Sequence, residues 1–222
     1  MKPVKFNPDT HRYEVLGVAI PSVTQILSRV GIIDEEGKCQ PIGGSFDRIN
    51  KDILDTASLV GTEFHTVAAH LVNGTLSEYP SQTNLKEFEF WIKHAEKFLE
   101  ETKELPLVLD WKTANAFKKS WRYQTAAYVN LVTENLDYVC ELQIEPELTE
   151  VLLYSDVYKY AGTIDLINTG VLTKRGIKSF QYWSVKIGDS GYEIDKRNTK
   201  QHSMDWTVFL SALNIYKSFS SC

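Results

Sequence analysis

Cysteine is scarce and scattered in this sequence: Cys39, Cys140 and Cys222 are the three found in 222 residues. An odd number so far apart offers neither a disulfide framework nor a C-x-x-C ligand set for zinc or an iron–sulfur cluster, and it suits a reducing, cytoplasmic setting. No apolar core follows the opening "MKPVKFNPD", and no run approaches the length of a membrane span. A soluble protein with no membrane partner is therefore expected. Positive charge is also lacking. A net charge of −5 argues against a broad basic face that grips duplex DNA, while leaving room for a local positive groove. Internal repeats and low-complexity segments are absent. The apolar content of 43% and aromatic content of 12% suffice for one well-cored domain over 1–222 and are short for two.

Along the chain, "KFNPDTHRYEVLGVAIP" predicts a short hairpin turning at Pro8-Asp9, with Gly17 as a second break. Ser22 and Gln25 form a capping box for a helix that Gly31 would stop, so 1–31 reads as an N-terminal hairpin and helix. The stretch 32–56 is polar, Gly-containing and weakly periodic, the pattern of a mobile loop. A core over 57–222 opens with a helix at 58–73, where Phe64, Val67, Ala68 and Leu71 recur at i, i+3, i+4 and i+7. A second helix over 85–103, capped by Asn84 with Glu87, carries Leu85, Phe88, Trp91, Ile92, Ala95 and Leu99 on one side. Helical spacing returns at 120–136. Residues 149–168 read as two strands, 150–158 and 160–167, bent near Lys159, and a further hairpin turns at 188–191. A closing helix over 205–219 has Asp205 as its cap. Strands interleaved with helices predict an α/β fold.

Two strands carry charge where apolar residues are the rule. In "LVLDWKTANAF", Asp110 and Lys112 project from one face while Leu109 and Trp111 pack on the other. They read either as an ion pair at a strand end or as parts of a site. In the strand after Lys159, Ile164 and Leu166 share one face and Thr163, Asp165 and Ile167 the other, which makes Asp165 an acid inside an apolar strand. Gly162 lets another backbone come close. Gln124 and Tyr128 stand at i and i+4 on one helix face, as an acting pair or as a surface residue and a partly buried aromatic. His65 lies at the rim of its apolar stripe, as a core histidine or as a ligand. Glu150 and Asp156 bracket the strand before Asp165, as further acids or as solvated side chains.

Taken together, "GTEFH", "YAGTIDLI", "LVLDWKT" and "QTAAY" resemble the PD-(D/E)XK nucleases of the RecB-like branch, which includes phage-encoded and mitochondrial genome maintenance exonucleases. The opening "FNPDTHRYEVLGVAIPSVTQIL" is similar to the N-terminal leader of phage and bacterial members. The resemblance implies a restriction-endonuclease-like core, a central mixed β-sheet flanked by helices. It places His65, Asp165, Asp110, Lys112, Gln124 and Tyr128 on site positions. The motif order departs from the family's, because "LDWKT…QTAAY" precedes "YAGTID" here. A rearranged gene, an engineered permutation, or a connectivity that differs from the order of this sequence would each produce the exchange. Elements meeting in space can still build the site in either order.

The chemistry agrees with that resemblance. Hydrolysing a phosphodiester needs an activated water and charge stabilisation on the phosphoryl oxygens, and hard oxygen ligands on Mg²⁺ or Mn²⁺ suit both. Asp110 and Asp165 would share the ion and His65 would add an imidazole favouring Mn²⁺. Lys112 would sit beside them, orienting water or stabilising the phosphate. Lys118, Lys119 and Arg122 form a basic cluster that reads as phosphate contacts or as a solvated helix start. The expected function is a metal-dependent exonuclease acting on single-stranded DNA or DNA ends. The alternatives are a binding protein of the same fold without cleavage, a structural domain whose charged strand residues merely pair, and an endonuclease of restriction type.

Overall fold

The computed structural model describes residues 2–7, 10, 12–33, 39–43, 51–78, 88–102, 106–114, 117–142, 147–168 and 180–220. Strands β1 (Val4–Asn7), β2 (Arg12–Val15) and β3 (Val18–Ile20) form an antiparallel meander. The β2–β3 turn places Leu16 and Gly17 at φ 53° and 80°. Two consecutive left-handed residues give the turn whose twist matches a two-residue hairpin. The Pro8-Asp9 turn lies outside the described residues. Helix α1 (Val23–Arg29) starts on the expected capping box: Gln25 N donates to Ser22 Oγ and Ser22 N donates to Gln25 Oε1, each at 3.0 Å.

Gly31 does more than end that helix. It opens β4 (Gly31–Ile33), which pairs with β5 (Cys39–Pro41), and Ile42 and Gly43 then donate to the carbonyls of Val30 and Leu27. Helix α2 covers Lys51–Val72. The expected mobile loop over 32–56 is thus corrected at both ends, because ladder and helix hydrogen bonds engage its backbone; 34–38 and 44–50 lie outside the described residues. Helix α3 (Glu89–Glu101) begins at Phe88 with no side-chain cap, and the expected cap Asn84 lies outside the described residues. Phe88, Ile92, Ala95 and Phe98 are its buried stripe, so Phe98 takes the deep position expected of Leu99.

The remaining elements are β6 (Val108–Thr113), α4 (Ser120–Glu134), α5 (Leu136–Glu141), β7 (Glu147–Ser155), β8 (Tyr160–Asn168), β9 (Gln181–Gly188), β10 (Gly191–Asn198) and α6 (Thr199–Ser220). The expected strand 150–158 is therefore shifted toward the N-terminus. Five strands form a mixed sheet in the order β10-β9-β6-β8-β7, with β6 and β9 parallel and the other pairs antiparallel. Leu109, Trp111 and Val185 on one face pack against Phe64 and Ala68 of α2 and Ala95 and Phe98 of α3. Val108, Ile164 and Tyr182 on the other meet α1, α4 and α6 through Ile26, Ala127 and Phe209. The architecture is α/β, a sheet between two helical layers.

Helix α6 starts earlier than its expected cap. Asn198 Oδ1 accepts from the backbone of Lys200 and Gln201, and Gln201 Oε1 accepts from Asn198 N, so Asn198 and Gln201 make the capping box. Asp205 lies inside the helix, buried, accepting from Tyr182 OH and Arg197 Nε at 2.9 Å each. Among the described residues no helix is long and apolar enough to cross a membrane.

Candidate functional site

The central strands β6 and β8 pair at Val108–Ile167 and Leu109–Leu166, with Asn168 N donating to the Leu107 carbonyl just before them. Beyond Leu109, Asp165 Oδ2 accepts the backbone N–H of Trp111 at 2.6 Å, so a carboxylate occupies the place of a ladder carbonyl. The side-chain alternation expected in β8 fails here: Ile164 and Ile167 both enter the core beneath α4, whereas Leu166 enters the core beneath α2 and α3. Across the β7–β8 hairpin, the register Thr149–Leu166 and Val151–Ile164 sets Glu150 opposite Asp165. Glu150 has φ 54°, a left-handed backbone that costs a non-glycine residue about 1–3 kcal/mol.

The gap between the splayed strands is a cleft of about 350 Å³. His65 Nδ1 lies 3.2 Å from Asp165 Oδ1, and donor atoms of His65, Glu150 and Asp165 all fall within 4.8 Å of one another. Asp110 and Lys112 line the same cleft, as do Gln124 and Tyr128, so the exchanged motif order leaves six of the proposed residues converging. Asp110 stands outside the three-donor group. Its carboxylate accepts from Lys112 Nζ at 2.8 Å and from Thr125 Oγ1 at 3.4 Å. Gln124 Nε2 donates to Tyr128 OH at 2.8 Å, which joins the two residues placed together by helical spacing. A Cβ on Gly162 would come within 2.7 Å of Tyr128 Cε1; the close approach that Gly162 permits is by this ring, not by a backbone.

Burial and neighbouring charge divide the acids. Burial pushes Asp110 up to about 6 against the pull of Lys112, with Asp165 adding to the rise. Burial likewise carries Glu150 to about 7, with Asp165 reinforcing it and His65 opposing. Burial acts upward on Asp165 too, but the His65 charge and hydrogen bond, Lys112 and the Trp111 N–H outweigh it and hold this carboxyl below its usual range. His65 is the complement: burial lowers it, Asp165 more than compensates, and its affinity for a proton rises. Burial raises the Tyr128 hydroxyl well above the ordinary phenol value, so it stays protonated. Asp110 and Glu150 hold their protons more tightly than free carboxylic acids while Asp165 ionises more readily, so the three acids of the cleft draw on the same few positive charges.

Of the basic cluster, Lys118 lines a neighbouring cavity and Lys119 is exposed beside the start of α4. Arg122 is engaged elsewhere: its guanidinium donates to Tyr123 OH at 2.9 Å and lies 3.6 Å from Asp205. Asp156 is on the surface with Lys2 and Lys159. His70 meets Thr75 Oγ1 at 2.9 Å just past the end of α2. Sequence reasoning missed the N-terminal wall of the cleft, Phe6, Tyr13 and Thr24, where Tyr13 OH and Thr163 Oγ1 are 2.9 Å apart. It also missed Lys186, in register with Lys112 across the parallel pair and ion-paired with Glu193. For Glu150 a signal existed: counting back from a turn at 156–159 sets it opposite Asp165. No protein-family model matches the chain, and a search of curated proteins finds no match.

Proposed function

We propose that this protein is a metal-dependent DNA nuclease with a restriction-endonuclease-like core, acting as an exonuclease on single-stranded DNA or DNA ends. The observation that carries the reading is the convergence, at one splay between strands, of an imidazole and two carboxylates with Asp110 and Lys112 beside them. Hard oxygens with one imidazole nitrogen fit Mg²⁺ or Mn²⁺, with the nitrogen favouring Mn²⁺. His65, Glu150 and Asp165 would hold the ion, with Asp110 adjoining from β6. When bound, such an ion supplies a water of lowered pKa and positive charge for the phosphoryl oxygens. Lys112 is the ammonium of the cleft and donates to a phosphoryl oxygen of the bound strand. Tyr128, kept protonated and fixed by Gln124, is a neutral donor to the same strand. The mixed sheet between helical layers and the four motifs support this reading.

The test is cleavage of end-labelled single-stranded and duplex DNA with Mg²⁺, Mn²⁺ or EDTA, alongside closed circular DNA. Stepwise loss of label from linear DNA, abolished by EDTA, supports an exonuclease; nicking of circles would make it an endonuclease. One observation favours a second reading. Asp110 is closed on Lys112 and stands outside the three-donor group, as in a binding module that has lost cleavage. DNA binding without metal-dependent cleavage would establish that module instead.

A further inference from the structure

A second cavity of about 360 Å³ adjoins the cleft, and Thr24 and Gln124 line both. Its character differs from that of the cleft. Leu27 and Ser28 of α1 form one wall, Trp121 and Ser120 of α4 the other, and Gly43 closes the space between. Gly43 lies so tightly on α1 that a Cβ there would meet Ser28 N at 3.2 Å, and its own N–H donates to the Leu27 carbonyl at 2.9 Å. Among the described residues no carboxylate lines this cavity, whereas Asp110, Glu150 and Asp165 line the cleft next to it.

A largely apolar slot with an indole in its wall, hydroxyls and the Lys118 ammonium in its lining, opening onto a site for a phosphate and a cation, suits one kind of occupant. Resting on the nuclease reading, we propose that this cavity is the subsite for a single nucleobase of the DNA strand, next to the phosphate held in the cleft. The volume lies within the range of small-ligand pockets and accommodates one base. A base entering it exchanges water for Trp121 and Leu27, contacts that every base can make and that do not demand one sequence. The slot has room for one base and adjoins the cleft, so the base must be unpaired to enter. Such a subsite would favour single strands and frayed ends over intact duplex.

The experiment is an abasic scan on the parent protein. A short fluorescent single strand is bound with Ca²⁺ in place of Mn²⁺, and its Kd is measured by anisotropy with one base removed at each position in turn. One position should stand out with a roughly tenfold weaker Kd, the scale of one stacked base. Ser28→Trp, on the exposed side of α1, fills the slot; it should bind the intact strand as weakly as the parent binds that abasic strand, with no further loss on removing the base. A strand that binds with equal Kd at every abasic position, or a Ser28→Trp variant that keeps the parent's sensitivity, overturns the subsite and leaves the nuclease reading standing. Failure to bind any strand, with no cleavage in Mn²⁺, overturns both.

Discussion

Replacing Asp110 with Asn separates a catalytic acid from a structural ion pair, because the two roles predict opposite signs for stability. Asp110 is 1% exposed and its carboxyl is raised from 3.8 to about 6. At about 1.4 kcal/mol for each tenfold change in proton affinity, ionising it costs the metal-free fold about 3 kcal/mol at neutral pH. The sign follows from linkage. A carboxyl with a raised folded pKa costs nothing below its unfolded value, and the cost grows as pH rises and is complete above the folded pKa. Asn keeps an oxygen for Thr125 and removes the cost, while Lys112, 15% exposed, can turn its ammonium to water. Asp110→Asn should therefore match the parent near pH 4 and exceed it by about 1–3 kcal/mol near pH 7.5, which is roughly 2–12 °C in Tm for a chain of this size. Cleavage should fall at least about a hundredfold. Urea and thermal unfolding of both proteins across that pH range, in EDTA, read the difference. A loss of about 3–5 kcal/mol with cleavage retained would refute the reasoning and make Asp110 the partner in a structural salt bridge.

His65→Ala should weaken Mn²⁺ binding and slow cleavage most at limiting Mn²⁺, while His70→Ala, removing a contact with Thr75, leaves both nearly unchanged; calorimetric titrations near pH 7.5 and near pH 6 check this, and the parent's affinity should drop at the lower pH as the imidazole protonates. Glu150→Gln should raise the melting temperature of the metal-free protein by an amount that grows above pH 4.5 and is complete above about pH 7, and should weaken Mn²⁺ binding in the same titration. Burial against Tyr182 and Trp206 lowers the proton affinity of His202, so its contribution is whole above about pH 6.5 and lost as pH falls; a His202→Gln variant should show a flatter stability profile between about pH 7 and pH 5. Gly162→Ala should displace the Tyr128 ring and cost about 1–3 kcal/mol, read by denaturant unfolding, with cleavage impaired through Tyr128.

Local periodicity made much of this architecture legible. The stripe of Phe64, Val67 and Ala68, the Ser22–Gln25 box and the Gln124–Tyr128 pair are i, i+3 and i, i+4 relations, and each is present in space. What alternation could not reveal is where it stops. The reversal between Ile164 and Leu166 arises because Asp165 takes the Trp111 N–H, a contact between strands distant in sequence. Glu150 and Asp156 were both candidate acids, and what separates them is hairpin register and a left-handed backbone at Glu150, neither of which the immediate neighbours of Glu150 signal. Asp205 misled in the opposite direction. An acid before an apolar run suggests a cap, yet Arg197 and Tyr182 recruit it into the helix interior, and Asn198 does the capping. β6 and β8 are neighbours in the sheet although α4, α5 and β7 separate them in the chain, so Asp110 and Asp165 meet without being close in sequence.

The most direct test of the account ties metal to chemistry in a single titration. Cleavage of an end-labelled single strand is followed against Mn²⁺ concentration for the parent and for Asp165→Asn, with Mn²⁺ affinity measured on the same samples by calorimetry. The parent's half-maximal Mn²⁺ should equal its calorimetric Kd, and Asp165→Asn should lose tight binding and cleavage together. Cleavage that persists in Asp165→Asn or in EDTA, or tight Mn²⁺ binding by a parent that cuts no strand, would contradict the metal-dependent nuclease reading.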